Sequence, residues 1–426
     1  MSQYDLNVDV DISRETASIT TSVFDVPLVV ATFTNFLERT RTYASTTEVL
    51  ADFSEASNVY KMAAKLFSGE VKLNQIVVGK RQTGAATITV QSAVVGQVYS
   101  FTISGITYAY TAIVDDTTAD IGEALKAAYD LNPRTGITLT DNLNGTLSLA
   151  ATSETLWSSS STANVVVSLG NPTETWVEAI VAAKEDNPTP YVVLAETHDS
   201  DDVDGISAYI ETTEMIYHTS MSDVEITTSG ADAITTGLAN ATRTTLTWSQ
   251  NADTEFPEAK WVGEVIPWTV GRKGWCFAKA DGLTKSSLTT TTRNNLFNKD
   301  VNAILEIGGR LHFQRGVTLE GNGIFEIVVK DWIKARLQEE VFGLLIRLPK
   351  TPLSQDGISL VESAIRRVLD QAAANGAIDS SYTVTSPQIR DIGLNDKVEG
   401  IMKTFTFRAI LIGETRKVEI TGVLTY

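Results

Sequence analysis

A chain of 426 residues is too long for one ordinary hydrophobic core, so two or three domains are expected. Hydrophobic residues make up 43% and charged residues 20%, and no apolar run approaches the roughly 18 to 20 residues of a membrane span, which describes a globular protein that does not insert in a bilayer. The formal charge of -18 is unevenly placed: residues 81–230 hold about 20 acids against about 4 bases, and residues 301–426 about 15 of each.

An acidic middle region repels phosphates, so nucleic acid is not an expected partner. A balanced last third suits a surface that buries itself against copies of the same chain. The opening Met1-Ser2-Gln3-Tyr4-Asp5 has no basic segment leading into an apolar one, so no secretory signal is read and assembly in a cytoplasm is expected. The single cysteine, Cys276, lies between Trp275 and Phe277, which predicts a buried thiol and excludes an intrachain disulfide framework.

In chain order, residues 5–12 alternate, with Leu6, Val8, Val10 and Ile12 on one face and Asp5, Asn7, Asp9 and Asp11 on the other. This predicts a strand that must join a sheet, either in its own subunit or in a neighbour. An apolar run from Leu28 to Phe33 predicts the first buried strand. A helix is expected after the candidate N-cap Ser54, with Val59, Tyr60, Ala63, Ala64, Leu66 and Phe67 on its face and Gly69 at its end. Ile76-Val77-Val78-Gly79 then predicts a second buried strand and a β-α-β opening.

After Arg81 the composition shifts to Thr, Ser, Val and Gly, with turns such as Asn144-Gly145, which predicts an inserted β-rich domain to about residue 170. One helix interrupts it, from Ala119 to Leu131. Alternation of helix and strand resumes with a Trp176–Ala183 helix, a Tyr191–Ala195 strand and a Val203–Glu214 helix. Strands at Met215–His218 and Thr244–Trp248 follow.

In the last third, Ile333, Leu337 and Val341 mark a helix over Lys330–Phe342. A second helix, capped by Asp356 and ended by Gly376, buries Ile358, Val361, Ala364, Ile365, Val368 and Leu369. Two strand candidates close the chain: Phe405, Phe407, Ala409 and Leu411 alternate in one, and Val418, Ile420, Leu424 and Tyr426 share a face of the other. Gly413-Glu414-Thr415 between them either turns, giving a hairpin, or extends, sending the last strand out as an arm.

The search for chemistry returns no catalytic set. His198, His218 and His312 lack the spacing of a metal site, and no second cysteine exists. Asp199, Asp201, Asp202 and Asp204 follow His198 without the glycine and terminal glutamate of a calcium loop, so a solvated acidic loop is expected. Gly308-Gly309-Arg310 and Gly321-Asn322-Gly323 carry neither the lysine and hydroxyl of a phosphate loop nor dinucleotide spacing. Glu339 and Glu340 are adjacent on a helix and point to different sides. Trp261, Trp268 and Trp275 recur every seven residues, but Pro267 and Gly271 prevent one helix from aligning them into a sugar-binding stack, and core packing is the expectation. No cofactor is called for.

Three C-terminal stretches carry a resemblance: GGRLHFQRGVTLEGNGIFEIVVKDWIKARLQEEVFGLLI, LPKTPLSQDGISLVESAIRRVL, and YTVTSP followed by a strand pair ending in VEITGVL. Earlier pieces add to it: an Arg39–Tyr43 loop, a helix ending Lys65-Leu66-Phe67, the Ile76–Gly79 strand and Pro257-Glu258-Ala259-Lys260-Trp261-Val262-Gly263. In this order they resemble the tail sheath proteins of contractile phages and related injection machines, over about half the chain and omitting 81–170.

The resemblance implies an α/β (α+β) multidomain fold: an N-terminal arm over 1–25, a discontinuous α/β domain over 26–80 and 171–300, and an outward-facing β-rich insert over 81–170. A conserved C-terminal domain with a mixed sheet over 301–414 and a C-terminal arm over 415–426 complete it. It implies a structural, non-enzymatic virion subunit that stacks in rings around an inner tail tube, meets baseplate and tail terminator proteins, and contracts. The arms Leu6, Val8, Val10, Ile12 and Val418, Ile420, Leu424 would add strands to a neighbour's receiving sheet at Phe405, Phe407, Ala409 and Leu411. Arg366 and Arg367 are candidate inter-subunit charges, with a solvated helix face as the other reading. The alternatives are a carbohydrate-binding or depolymerising virion protein, with the β insert as recognition module, and another virion assembler such as an inner tube or capsid subunit; the length and the long C-terminal helices fit a sheath better.

Overall fold

A computed structural model describes residues 22–152, 155–402, 404–419 and 421. The candidate N-terminal arm, Leu6 to Ile12, and the arm residues Ile420 and Leu424 lie outside the described residues. By contacts the chain divides into two units, one of residues 23–329 with 413–426 and the other of residues 1–22 with 330–412.

The first unit is built on β1 (Pro27–Thr32), whose Leu28, Val29 and Val30 are fully buried on both faces, as a central parallel strand requires. Next comes β2 (Thr40–Tyr43), so the stretch expected as a loop is an edge strand: Thr40 and Thr42 are β-branched, Tyr43 is buried, and the segment pairs antiparallel with β3 (Ile76–Arg81). Between them lie α1 (Thr46–Asp52) and α2 (Asn58–Leu66). The cap of α2 is Ser57, not Ser54; the Ser57 hydroxyl accepts the Tyr60 N–H, and the chain between the two serines is a turn.

Residues 85–169 fold on themselves. The strands β4 (Ala85–Val90), β5 (Val98–Ile103) and β6 (Ile106–Thr111) precede α3 (Thr118–Leu131), and β7 (Ile137–Asp141), β8 (Thr146–Ala151), β9 (Ser159–Ser161) and β10 (Val165–Leu169) follow it. They form a four-stranded sheet, β10-β4-β8-β7, and a three-stranded one, β6-β5-β9. Alternation puts Ile88 and Val90, Tyr99 and Phe101, and Leu147 and Leu149 into one core with Ile121, Leu125, Tyr129 and Trp157. Gly145 sits in the β7–β8 turn with φ +84°, a conformation that glycine adopts without Cβ strain.

The parallel sheet resumes through α4 (Trp176–Asp186), β11 (Val192–Ala195), α5 (Ser200–Ile210), β12 (Ile216–Met221), α6 (Ala233–Gly237) and β13 (Thr244–Trp248). Thr175 and Glu178 make a capping box at the start of α4. The acidic stretch after His198 is no loop: Asp199 caps α5 by accepting the Asp201 N–H at 3.0 Å, and Asp201 and Asp202 occupy its first turn, where the helix dipole favours negative charge. After α7 (Ala252–Glu255), α8 (Pro257–Val265) and α9 (Thr290–Asn298), the strands β14 (Asn302–Ile307) and β15 (Arg310–Gln314) complete an eight-stranded sheet of order β15-β14-β13-β12-β11-β1-β3-β2. All pairings are parallel except those of the two edge strands.

The helix α10 (Ile324–Arg347) is longer than the Lys330–Phe342 stretch that its pattern marks and gives residues from Lys330 onward to the second unit. There it is joined by α11 (Gln355–Ala374), β16 (Thr383–Thr385), α12 (Leu394–Glu399) and β17 (Thr406–Arg408). The cap of α11 is Ser354, whose hydroxyl accepts the Gly357 N–H, and Asp356 stands in the first turn instead. The predicted stripe is buried as expected, from Ile358 to Leu369, and Gly376 follows the helix with φ +79°. Gly357 has a steric reason: a Cβ there would stand 1.8 Å from the Pro352 carbonyl oxygen.

Candidate assembly surface

The second unit leaves its smallest sheet unfinished. β16 and β17 pair antiparallel through Thr383–Arg408, Val384–Phe407 and Thr385–Thr406, and a bridge between Ile378 and Leu411 extends the ribbon. The Asp379 N–H donates to Ile410 O at 2.8 Å and the Ile412 N–H to Ala377 O at 3.0 Å. Two strands alone bury too little to be stable, and among the described residues no further strand pairs with either outer edge. The expected strand Phe405–Leu411 is therefore two short pieces. Phe405 and Ala409 are half-buried and Phe407 and Leu411 exposed, so its alternation does not yet have a core to face.

Apolar side chains are left uncovered on the same unit. Phe342, Leu345 and Ile346 on α10 are 55%, 49% and 48% exposed at i, i+3 and i+4, which places them on one helical face. Leu394 and Val398 of α12, and Ile410 and Ile412 of the ribbon, are exposed as well. A monomer surface rarely gathers large apolar groups without a partner.

Arg366 and Arg367 are engaged within the chain. Arg366 pairs with Glu362 one helical turn earlier at 2.7 Å, and Arg367 reaches Glu340 of α10 at 2.8 Å. Glu339 pairs instead with Arg336, so the two adjacent carboxylates do face different partners. Val418 is exposed. Residues 413–419 belong to no strand, and the Glu414 carboxylate accepts the backbone N–H groups of Trp275 and Cys276; the rest of the strand expected after Thr415 lies largely outside the described residues.

The first unit holds a constellation with an enzyme-like outline, and its geometry is that of a structural ion cluster. His198 Nδ1 lies 2.8 Å from Asp253, its Nε2 3.1 Å from Glu258, and the Ser220 hydroxyl donates to Glu258. Burial alone would lower the imidazole pKa, but the Glu258 charge and hydrogen bond, together with Asp253, raise it to about 9. A charged imidazolium cannot take a proton from Ser220, which is itself fully buried. His218 is the opposite case: burial pushes it down to about 3, and it stacks on Trp275 at 4.7 Å as a neutral ring.

At the topological switch between β1 and β11, where doubly wound sheets bind phosphates, Glu196 accepts the Thr32 N–H at 3.0 Å and the Asn58 amide at 2.8 Å. A carboxylate there repels a phosphate. Six of the seven tryptophans are buried and Trp268 is half-buried, so none stands out as a sugar-stacking platform.

The Pro257–Gly263 motif now has its reason. Every residue of α8 is buried; Glu258 holds the His198 cluster, and Lys260 donates to Ser68 O at 3.2 Å. A Cβ on Gly263 would stand 2.3 Å from Leu66 O and one on Gly69 2.1 Å from Gly263 O, so the two glycines let α2 and α8 approach at backbone distance. Sequence reasoning missed the charged cluster because its members are 55 and 60 residues apart; the signal available was a glutamate and a lysine inside an apolar helical run.

Residues 324–387 match a family model described as E217 tail sheath protein gp31-like, C-terminal domain. The fold is similar to that of the sheath tail protein of Listeria innocua, at 11% identity and TM-score 0.51, covering 93% of this chain and 97% of that one. It is similar also to chains of the anti-feeding prophage: its helical sheath in the contracted state, at 11% identity, TM-score 0.55 and coverage of 97% and 98%, and its baseplate, at 12% identity, TM-score 0.54 and coverage of 98% and 99%. No curated protein sequence matches the chain. The class is thus that of contractile-tail sheath folds, as the sequence resemblance implies. Within it, the similarity of residues 324–387 is to the C-terminal domain of the E217 gp31-like sheath proteins.

Proposed function

We propose that the chain is the repeating structural subunit of a contractile tail sheath, polymerising helically around an inner tail tube and contracting to drive that tube through a host envelope. The observation that carries this reading is the unfinished β16–β17 ribbon in the unit containing most of the sheath-family match, beside an uncovered apolar helix face. Similar folds in a contracted helical sheath and in a baseplate support self-association and a baseplate partner; the tail tube and terminator proteins complete the proposed contacts. Terminal segments around Leu6–Ile12 and Val418–Leu424 would add strands to the ribbon of another copy, and main-chain hydrogen bonds would keep subunits linked while they move. In this reading the insert, residues 81–170, faces outward, residues 26–80 with 171–300 form the body, and residues 301–414 carry the joints. Assembly takes place in the host cytoplasm.

Contraction needs no nucleotide. Subunits rotate as rigid bodies from a trapped extended state to one with more buried surface, and small gains add over a long array. The test is electron microscopy of the purified chain across salt and concentration. Hollow tubes or stacked rings wide enough to enclose a second tube are expected; monodisperse monomers or compact trimers throughout would overturn the proposal.

A further inference from the structure

The last described segment pairs with no strand, yet it is seated. Main-chain pairing runs out at Ile412, and from Gly413 the chain is counted with the first unit. There one carboxylate oxygen of Glu414 accepts the Trp275 N–H and the other accepts the Cys276 N–H at 3.0 Å, while the Arg416 guanidinium approaches Gly316 O at 3.5 Å. Bonds from two amides to one ionised carboxylate are stronger than neutral ones and fix both position and orientation.

The seat has space made for these side chains. A Cβ on Gly274 would stand 3.0 Å from Glu414 Oε1, and a Cβ on Gly323 would stand 2.6 Å from the Arg416 guanidinium. Trp275, which supplies one donor, is locked in the core between His218 and Trp261. The donors are therefore rigid, and the carboxylate comes to them. Burial pushes the Glu414 carboxyl up, against the pull of the two amides and Arg416, as expected for a charge taken out of water into a built site.

We propose that Glu414 is a clasp residue fixing the C-terminal segment to its own subunit at residues 413–416, so that the part joining another copy starts beyond Arg416. This rests on the strand-adding reading above and deepens it. From Arg416 to Leu424 a fully extended chain spans about 26–29 Å, so the receiving edge of a neighbour must lie within that distance of the clasp.

The test is hydrogen–deuterium exchange on the full-length chain, below its assembly concentration, comparing the wild type with E414A and G274A. Exchange at least tenfold faster in peptides covering residues 273–277 and 413–419 is expected in both variants, since one removes the carboxylate and the other crowds it. Unchanged exchange in both overturns the clasp, and if E414A does not fold G274A decides alone. E414A is also expected to raise the concentration needed for polymer at least tenfold; faster exchange with unaltered assembly would overturn its role in setting the exchange point. A chain truncated after Arg416 separates the two ideas: a protected clasp without polymer supports both, whereas a protected clasp with normal polymer overturns the strand-adding reading and leaves the clasp standing.

Discussion

Residues 85–169 and residues 330–412 are similar in length and opposite in how they end. The insert closes on itself: seven short strands and one helix bury a shared aromatic and aliphatic core. Its entry and exit lie side by side, because Thr83 bridges Pro172. It is also bolted to the body. The buried Lys80 ammonium, also held by Phe36 O, donates to Trp157 O, the Trp157 indole donates to Thr83 O at 2.8 Å, and the Ser159 N–H donates to Thr34 O at 2.7 Å. The C-terminal unit has a two-stranded ribbon and apolar side chains that nothing among the described residues covers. One region has finished folding within the chain; the other leaves apolar surface and strand edges uncovered among the described residues, which is where the proposed assembly would act.

The largest effect that would test this contrast is Trp157→Ala. It leaves a cavity in the insert and orphans the Thr83 carbonyl, at a cost of about 3–5 kcal/mol by chemical denaturation. Assembly of the folded fraction should be unaffected, and a loss of tubes at a temperature where the variant is folded would break the comparison.

Next is pH. His198 is raised from its ordinary value to about 9, so its contribution is fully present below about 6.5 and is lost as pH rises through 9, on the order of 3 kcal/mol. Stability of the unassembled chain should fall over that window, and His198→Gln should flatten the fall; a parallel decline in the variant would remove the imidazolium from the account.

Substituting Phe342 and Leu345 together with serine should change subunit stability by less than about 1 kcal/mol, because both are half-exposed already, while sharply reducing polymer in sedimentation assays. Substantial destabilisation of the monomer would show that this face belongs to the core. The smallest effect is expected from Arg367→Ala, whose pair with Glu340 is partly exposed: about 0.2–1 kcal/mol, measured in a double-mutant cycle with Glu340→Ala. A coupling well above that range would make the α10–α11 contact a main support of the unit.

Much of the fold was legible locally. The compositional shift and turns after Arg81 located the β-rich insert, the apolar runs Leu28–Phe33 and Ile76–Gly79 located central parallel strands, and the stripe from Ile358 to Leu369 located α11. These features depend on residues within one or two turns of each other. The misplaced caps show the limit of the same logic: Ser54 and Asp356 are good capping residues, but Ser57 and Ser354 stand where the backbone turns. Arg39–Tyr43 could not be read as a strand because an edge strand draws its hydrogen bonds from a partner more than thirty residues away.

By itself the sequence determined the α/β character, the β-rich interruption, the C-terminal helices and the resemblance to tail sheath proteins, since hydrophobic periodicity and motif order are written along the chain. Only the tertiary structure decided that His198 is a held charge, that Gly69 and Gly263 exist for one helix contact, that Arg366 and Arg367 find partners inside the subunit, and that the Glu414 carboxylate is held by the backbone N–H groups of Trp275 and Cys276. Each of those depends on groups brought together from tens to more than a hundred residues apart or on the steric and electrostatic setting of a packed interior, and no local pattern encodes either.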